Sequence, residues 1–454
     1  VIQSFAIINF FVFCEIPIMT PPDFVQVFRQ SSPYFNAHRD STVVIYLDGS
    51  ALQHGDGALP LIQDLALLQS LDVRIVLVAG ARPFIDSEMQ AQGLDWQSHR
   101  GLRITRKEHL PAVAQAVGQM RIELESWFSS AQAKQSYAVR PLFISSGNWV
   151  MAKPLGIIDG IDFQHTGAVR RIEIDPIKGV LDMGHIALLT SQAYSITGDT
   201  FNLSSMEVAI EAAIALEADK LIWLVDAEHL NSARAALPTE LSANDMPSLL
   251  AKAILPDNTR QLLLDSYRAA QHVDRVHLLD RTEDGALLRE LFTLDGVGIM
   301  INQNDYDVVR QATIEDIGGI LSLLEPLETG GSLVKRPREQ LEMEIDYFTI
   351  LERDGTIIGC AALYPYTDNH AAELAAFAID ANYRRGGRGS KLLNEVEKRA
   401  RIAGIHTLFL LTTQTMHWFI RHGFSQADIT ALPNQRAQLY NFQRRSAVFT
   451  KELA

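Results

Sequence analysis

Two hydrophobic periodicities run through the first half of this chain. Short apolar runs at Thr42-Val-Val-Ile-Tyr-Leu47, Val73-Arg-Ile-Val-Leu-Val78, Leu142-Phe-Ile-Ser-Ser146, Ile186-Ala-Leu-Leu-Thr190 and Leu221-Ile-Trp-Leu-Val225 predict buried strands. Between them, apolar residues recur at helical spacing, as from Leu59 to Leu71 and from Ser204 to Ala218. Strands rich in β-branched residues that alternate with helices imply a mostly parallel α/β sheet covered on both faces. Ligands in such folds bind beyond the carboxyl ends of the strands. The turns Asp48-Gly49-Ser50 and Ala79-Gly80-Ala81-Arg82-Pro83 fall there.

The pattern breaks near Asn302-Gln-Asn-Asp-Tyr306, which divides the chain into residues 19–303 and 304–454. In the second part, Tyr306 to Ala312 reads as a strand. Thr313 is the expected N-cap of a helix from Ile317 to Leu327, with Asp316 placed to reach back in a capping box. Phe348 to Glu352 and Ile357 to Tyr364 flank Arg353-Asp354-Gly355-Thr356, and Asp-Gly is a hairpin signal. Glu373-Leu-Ala-Ala-Phe-Ala-Ile-Asp380 reads as a further strand, and His406 to Thr412 as another. Between them, Tyr383-Arg384-Arg385-Gly386-Gly387-Arg388-Gly389 leads into a helix from Ser390 to Gly404. A strand, a glycine-rich turn and a helix N-terminus present backbone N–H groups to a phosphate, with the helix dipole favouring the anion. Arg384, Arg385 and Arg388 add positive charge where a diphosphate would sit.

Composition narrows the class without naming a reaction. A chain of 454 residues is expected to form two or three domains. Acidic residues outnumber basic ones, 54 to 40, for a net charge of −14, which argues against a general nucleic-acid partner. Cys14 and Cys360 form no metal-ligand pattern, so no metal is expected, and they suit a reducing cytoplasm. Val1 to Ile18 is strongly apolar and carries no Lys or Arg, unlike a secretory signal, and is too short to span a bilayer. We read residues 1–18 as an extension upstream of Met19, with a hydrophobic N-terminal arm as the alternative, and expect no membrane association.

Residues 24–300 resemble the amino-acid kinase fold, a three-layer α/β domain with a mostly parallel sheet, and acetylglutamate kinases in particular. The resemblance rests on the first strand and its glycine turn, Ala79-Gly80-Ala81-Arg82-Pro83, Gly101-Leu-Arg-Ile-Thr105, Asn202-Leu-Ser-Ser205 and Asp295-Gly-Val-Gly298. Active kinases of that family carry Lys where this chain has Tyr46, Gly where it has Asp48, and Asp where it has Ser204. Phosphoryl transfer depends on positioning and on cancelling negative charge. Losing the Lys and gaining a carboxylate implies a domain without kinase activity. Further on, Val276-His277-Leu-Leu-Asp-Arg281 and Ala286 to Gly298 resemble the arginine site of arginine-inhibited acetylglutamate kinases and synthases, in the spacing of His277, Glu290 and Gly296. On chemistry alone Glu290 reads sooner as a solvated helix residue, and Gly296-Val-Gly298 as an ordinary helix stop. The family spacing implies instead a carboxylate that takes a guanidinium bidentately. Arginine-sensitive members also carry an N-terminal helix that links dimers. Asp23 to Asn36, with Tyr34, resembles it and implies a homo-oligomer, a hexamer ahead of a dimer or tetramer.

Residues 304–454 resemble GNAT-type N-acetyltransferases in the order of their elements and in the Arg-x-x-Gly-x-Gly spacing of Arg384, Gly387 and Gly389. A degenerate kinase-like domain followed by a GNAT domain resembles the bacterial N-acetylglutamate synthase family. Leu333-Val-Lys-Arg-Pro-Arg-Glu-Gln-Leu-Glu-Met-Glu-Ile-Asp346, Thr412-Thr-Gln-Thr-Met-His-Trp-Phe419, Arg421-His-Gly-Phe424 and Gln438-Leu-Tyr-Asn-Phe-Gln-Arg-Arg445 support it. The resemblance implies acetyl transfer from acetyl-CoA to the α-amine of L-glutamate, the first step of arginine biosynthesis, with L-arginine as feedback inhibitor. Glu373 matches the carboxylate that deprotonates the amine. Backbone N–H groups around Phe377, Ala378 and Ile379 would receive the thioester oxygen. Thr412, or else Tyr440, would protonate the departing thiolate. Residues 384–389 would hold the diphosphate. Arg336, with Arg444 and Arg445, would hold the two carboxylates of glutamate, for which a planar guanidinium suits better than an ammonium. His417 and His422 are expected on the surface of the helix before Gly423. Two other functions stand beside this one: a catalytically silent arginine sensor, and an acetyltransferase for a different amine.

Overall fold

The structure is a computed structural model that describes residues 21–453 apart from 54–57, 135–141, 294–295, 304–306, 332, 354, 367–368, 385–386, 413–415 and 441–445. The expected upstream extension, Asp354 of the hairpin, and the site candidates Arg385, Gly386, Arg444 and Arg445 lie outside the described residues. The chain divides into two compact units, at 304/305.

The first unit is built on an eight-stranded sheet. Its spatial order is Glu240–Ser242, Ile299–Asn302, Arg275–Asp280, Lys220–Val225, Thr42–Leu47, Arg74–Ala79, Ile186–Thr190 and Ile144–Ser146. Every pairing is parallel except that of Arg275–Asp280 with Ile299–Asn302. Strand side chains alternate between faces, so each apolar run feeds two cores. Val44, Tyr46, Leu221 and Trp223 pack on one side against the helix Ser205–Ala215. Val43, Ile45, Ile222 and Leu224 pack on the other with Ala58–Ser70 and Leu110–Lys134. This is the three-layer arrangement anticipated.

Two details differ from the reading of the sequence. The helix expected to run to Ala218 ends at Ala215: Glu217 turns left-handed (φ 51°) and the Ala218 amide returns to the Ala213 carbonyl at 2.9 Å. A second, four-stranded sheet of Thr200–Asn202, Gln192–Tyr194, Val150–Pro154 and Gly167–Ile172 was not anticipated. Its strands are short and interrupted by polar residues, so the apolar alternation is weak.

The second unit is a seven-stranded sheet in the order Val308–Gln311, Phe348–Arg353, Thr356–Tyr366, Ala371–Ile379, Thr407–Thr412, Ala447–Glu452 and Ser425–Ala427. The expected helix start forms, with the Thr313 amide donating to Asp316 Oδ2 at 2.7 Å ahead of the helix Ile317–Thr329. All pairings are antiparallel save one. Ala371–Ile379 runs parallel to Thr407–Thr412, and only across Ala371–Thr407, Ala372–Leu408 and Glu373–Phe409. Past Glu373 the two strands part. Over the same stretch Ala371–Ile379 bulges against Thr356–Tyr366, and Ala376 takes a left-handed conformation (φ 48°). A bulge shifts which residues face each side. Leu374 before it and Phe377 and Ile379 after it all pack towards the helix Arg388–Ile402, while Ala376 and Ala378 face the helix Ile317–Thr329.

Candidate active site

The parting of the two strands opens a cavity of about 440 Å³. Leu374 to Ile379 form one wall and Leu410, Leu411 and Thr412 the other; Trp418 and Phe419 lie alongside. The mouth is lined by Arg384, Gly387, Gly389 and Ser390, from the glycine turn and the first turn of the helix Arg388–Ile402. Gly387 caps that helix at φ 74°, ψ 5°, a left-handed conformation that costs other residues about 1 kcal/mol or more. Gly389 needs its missing Cβ for a different reason, since that atom would lie 3.0 Å from the Trp418 ring. One cavity therefore joins an open strand edge to a helix N-terminus that favours anions.

The arginines of the turn divide their labour in a way the sequence did not indicate. Arg384 is exposed at the mouth, its Nε donating weakly to the Ile379 carbonyl at 3.4 Å. The Arg388 side chain turns away: its Nε donates to Asp307 Oδ2 at 2.8 Å and its guanidinium lies over the Tyr383 ring. Arg353 reaches the other oxygen of Asp307 at 3.2 Å, and Lys391 Nζ donates to the Asp307 carbonyl at 2.5 Å. The expectation that Arg388 adds side-chain charge to a diphosphate is therefore corrected: that guanidinium anchors the turn, and its backbone sits at the helix N-terminus.

Glu373 stands at the vertex where the strands part, with a side chain only 12 % exposed. Arg436, not anticipated, clamps it with both arms: Nε to Oε2 at 2.6 Å and Nη2 to Oε1 at 3.0 Å. Hydrogen bonding to Glu373 holds the Arg436 guanidinium above its ordinary pKa. Burial, and then the negative charge of Glu373, pushes the Tyr366 phenol up as well. The sequence carried no signal for this contact: Arg436 falls in Asn434–Ala437, a single helical turn after Pro433.

Arg336 sits on the Glu373 face of the sheet. It acts on the Tyr364 phenol, and Tyr364 lies directly across the strand pair from Glu373. The Tyr364 hydroxyl donates to Glu344 Oε2 at 2.5 Å. Thr412 lines the cavity, whereas the Tyr440 hydroxyl donates to the Ser446 carbonyl at 2.6 Å. His417 is exposed, as expected. His422 is not simply a surface residue. Its Nδ1–H donates to the Trp418 carbonyl at 2.8 Å, and its Nε2 accepts from the Ser390 hydroxyl at 2.7 Å.

In the first unit, the helix Pro21–His38 docks on the helix Ala286–Phe292. Ser31 Oγ donates to the Phe292 carbonyl at 2.9 Å, His38 Nε2 to the Leu291 carbonyl at 2.7 Å, and Tyr34 stacks on His38. Glu290 is not a solvated helix residue: its side chain is 5 % exposed. It accepts from His277 Nδ1 at 2.7 Å and from the amides of Val297 and Gly298 at 2.6 and 2.8 Å. Burial raises its carboxyl pKa, but the His277 and amide hydrogen bonds outweigh that and hold it below the usual carboxylate range. Burial keeps His277 neutral, against the pull of Glu290. A neutral ring that donates through Nδ1 leaves Nε2 as an acceptor, and that atom is buried with no hydrogen-bond partner. A Cβ on Gly296, where φ is 57°, would lie 2.6 Å from Glu290 Oε2, so this position admits only glycine. Lys220, which the sequence reading passed over, is buried and acts electrostatically on both His38 and His277. A lysine opening an otherwise apolar strand was the available signal.

The turn where an active kinase would hold phosphate is occupied differently. The Tyr46 hydroxyl donates to Asp48 Oδ2 at 3.3 Å, and the Ser50 amide and hydroxyl donate to Oδ1 at 2.9 and 2.6 Å. Burial, and then Asp48, raises the Tyr46 phenol far above its ordinary value. Ser204 caps the helix Ser205–Ala215, accepting from the Glu207 amide at 3.4 Å. Among the described residues no cluster of side chains could hold a metal ion, and no helix is long and apolar enough to cross a membrane.

Comparison with known proteins agrees with this geometry. Residues 41–279 match the Amino acid kinase family and residues 319–424 the Acetyltransferase (GNAT) family. The chain is 46% identical to an amino-acid acetyltransferase of Pseudomonas syringae pv. tomato, over 95% of this chain and 100% of that one. It is 45% identical to one of Pseudomonas aeruginosa, with the same coverage. Among solved structures it is similar to N-acetylglutamate synthase from Neisseria gonorrhoeae complexed with coenzyme A and L-arginine. The TM-score is 0.85 at 35% identity, covering 95% of this chain and 99% of that one. The same enzyme complexed with coenzyme A and N-acetyl-glutamate matches with a TM-score of 0.60 at 36% identity and the same coverage.

Proposed function

Because this chain belongs to the amino-acid acetyltransferase family and is an acetyl-CoA-dependent enzyme of the N-acetylglutamate synthase type, we propose that its acceptor is L-glutamate and that L-arginine inhibits it. The observation that carries the reading is the strand vertex. Glu373 lies where the paired strands part, Thr412 lines the same opening, and the helix N-terminus at Gly387 stands at its mouth.

The chemistry runs as follows. The α-amine of glutamate is an ammonium at neutral pH and must lose a proton before it can attack. Glu373 accepts that proton, directly or through one water. The nitrogen then bonds to the thioester carbon, and negative charge on the oxygen would meet backbone N–H groups between Phe377 and Ile379, just past the bulge at Ala376. The carbon–sulfur bond breaks as the nitrogen gives up its second proton, which Thr412 relays to the departing thiolate; the products are the amide and the CoA thiol, and the Thr412 hydroxyl is left as it began. Thr412 lines the cavity and Tyr440 is not among its lining residues, so Thr412 is the better placed of the two. The helix N-terminus and Arg384 hold the diphosphate of acetyl-CoA. Arg336, with Arg436 released from Glu373, supplies cations for the glutamate carboxylates.

Arginine inhibition is assigned to the docked N-terminal helix, His277, Glu290 and the Gly296 turn. A guanidinium N–H would meet the buried His277 Nε2, and Lys220 would meet the α-carboxylate. Thiol release from acetyl-CoA across a panel of amines, with and without arginine, tests the proposal. Glutamate-dependent release suppressed by arginine is expected. Release with another amine and none with glutamate would overturn the acceptor, and arginine binding without any thiol release would make the chain a silent sensor.

A further inference from the structure

His422 has no part in the chemistry of acetyl transfer, yet it is wired to the mouth of the cavity. The Ser390 hydroxyl, in the first turn of the helix Arg388–Ile402, stands in that mouth and donates to His422 Nε2 at 2.7 Å. On the other side of the ring, Nδ1 lies 2.8 Å from the Trp418 carbonyl. A carbonyl only accepts, so Nδ1 keeps its hydrogen in either charge state and the tautomer is fixed. Nε2 is then the ring atom whose proton comes and goes.

The state of Nε2 decides which way the Ser390 hydroxyl points. With Nε2 bare, the hydroxyl hydrogen is committed to the ring, and the oxygen offers only lone pairs to the cavity. A phosphate oxygen there would meet lone pairs with lone pairs. With Nε2 protonated, the ring donates to Ser390 Oγ and the hydroxyl hydrogen turns to the ligand. An imidazolium and a diphosphate also attract one another directly. Trp418 adds to this, since its ring stacks on His422 with centroids 3.9 Å apart, and an indole face favours a cation.

The charged groups of the surrounding elements are placed elsewhere. On the helix Arg388–Ile402, Arg388 and Lys391 reach Asp307, and Glu397 takes Lys451 from the strand Ala447–Glu452. The strand Ala371–Ile379, whose Phe377 packs on Trp418, carries no ionisable residue past Glu373. His417 and Arg421, before His422 in the chain, are exposed, as is Arg384 at the mouth. We propose that His422 is a positioning residue for acetyl-CoA: it takes one proton from solvent as the diphosphate binds, and so turns Ser390 into a donor. That proton returns to solvent when CoA leaves, and none of the protons of acetyl transfer passes through the ring. The proposal rests on the diphosphate lying at this helix N-terminus.

Isothermal titration of the full chain with acetyl-CoA, in buffers of unlike ionisation enthalpy, counts the protons taken up on binding. The range is about pH 6 to 8.5, where an imidazole changes charge. The 3′-phosphate of the ligand titrates there too, but it is common to every protein compared. The proteins are the wild type, His422→Gln, which keeps a polar side chain that cannot be charged, and Ser390→Ala. The wild type should take up about 0.3 proton or more beyond His422→Gln within this range, and its affinity should gain about fivefold over that variant towards the acid end. Ser390→Ala should weaken binding about fivefold throughout. If Ser390→Ala weakens binding but the wild type and His422→Gln take up protons alike, the diphosphate is correctly placed and the proposal is overturned. If both variants bind like the wild type at every pH, the placement itself fails and the proposal falls with it. Should His422→Gln fold poorly, ring ¹⁵N spectra of the wild type decide. The His422 Nε2 signal must pass from a bare to a protonated nitrogen on adding acetyl-CoA, and an unchanged signal overturns the proposal.

Discussion

Replacing Glu373 with Gln keeps the shape of the side chain and removes its capacity to take a proton. General-base assistance is worth roughly 10²–10⁴-fold in rate, so kcat should fall by that factor, about 3–5 kcal/mol of barrier. The same change weakens the clamp on Arg436, two charge-assisted bonds of 2.6 and 3.0 Å in a site where the side chains are 12 and 20 % exposed. Gln can still accept one of them, so folding should lose only about 2 kcal/mol. The two losses can be separated. Arg436→Gln breaks the same ion pair and should destabilise by a similar amount, yet it leaves the carboxylate in place. Its kcat should therefore exceed that of Glu373→Gln by about tenfold or more, a smaller loss than removing a general base. Thiol release at saturating substrates gives kcat, and urea unfolding gives the stability change. Glu373→Ala, with the space vacated, should recover part of its rate on addition of formate. If Glu373→Gln keeps near wild-type kcat, or if it and Arg436→Gln are equally impaired and formate restores nothing, Glu373 is a strut and the mechanism is wrong.

Three further outcomes follow from the first unit and the glycine turn. Glu290→Gln should abolish arginine inhibition while leaving kcat unchanged, and Glu290→Ala should in addition cost about 3 kcal/mol or more, because it strands three buried donors; dose–response curves with arginine and urea unfolding check both. Gly296→Ala and Gly387→Ala both place a side chain at positive φ, but only the first meets Glu290, at 2.6 Å. Gly387→Ala should therefore cost about 1 kcal/mol and raise KM for acetyl-CoA a few-fold, whereas Gly296→Ala should cost more and remove the arginine response; equal losses of stability would count against the geometry. Burial, followed by the charge on Lys220, lowers the His38 pKa from 6.5 to about 4. Between those values the unfolded chain binds a proton that the folded one refuses, so stability rises with pH across the window. His38 should withdraw roughly 3 kcal/mol as pH falls from 6.5 to 4, measurable as urea midpoints that respond less to pH in His38→Gln.

Five strands of each large sheet were legible as apolar runs, and the fold class followed from their alternation with helices; Arg275–Asp280, Ile299–Asn302 and Ala447–Glu452 were among those not read as strands. The four-stranded sheet around Val150–Pro154 was not legible, because strands such as Gln192–Tyr194 and Thr200–Asn202 are too short for any period to show. In the candidate site, residues that match a family pattern could be named from the sequence, and those that act by contact alone could not. Arg436 reaches Glu373 from 63 residues away, and Asp307 gathers Arg353 from a strand and Arg388 and Lys391 from a helix. Nothing local in the sequence marks such a meeting. The same blindness produced the misplaced Arg388: a basic residue in a glycine turn reads as a phosphate ligand until its partner is seen. The change at Tyr46, Asp48 and Ser204 was legible as a departure, but not the hydrogen bond from Tyr46 to Asp48 that occupies the turn.

Glu290 and Glu373 show why burial alone does not decide what a carboxylate does. Both are nearly enclosed and both accept charge-assisted or backbone hydrogen bonds. Two of the donors to Glu290 are the amides of Val297 and Gly298, fixed by a turn in which Gly296 admits no side chain, and the third is a ring with no room to leave. Protonating that carboxylate would turn an acceptor into a donor against amides that cannot move, so Glu290 stays ionised and serves to hold His277 with Nε2 open. The donors to Glu373 belong to a single flexible side chain carried on one turn of helix. In the proposed reaction Arg436 would exchange Glu373 for a carboxylate of the substrate, and in doing so it would free the base as the amine arrives. A buried carboxylate is available for catalysis when its partners can depart, and that distinction, which no residue type announces, supports the proposal of Glu290 for arginine inhibition and Glu373 for proton transfer.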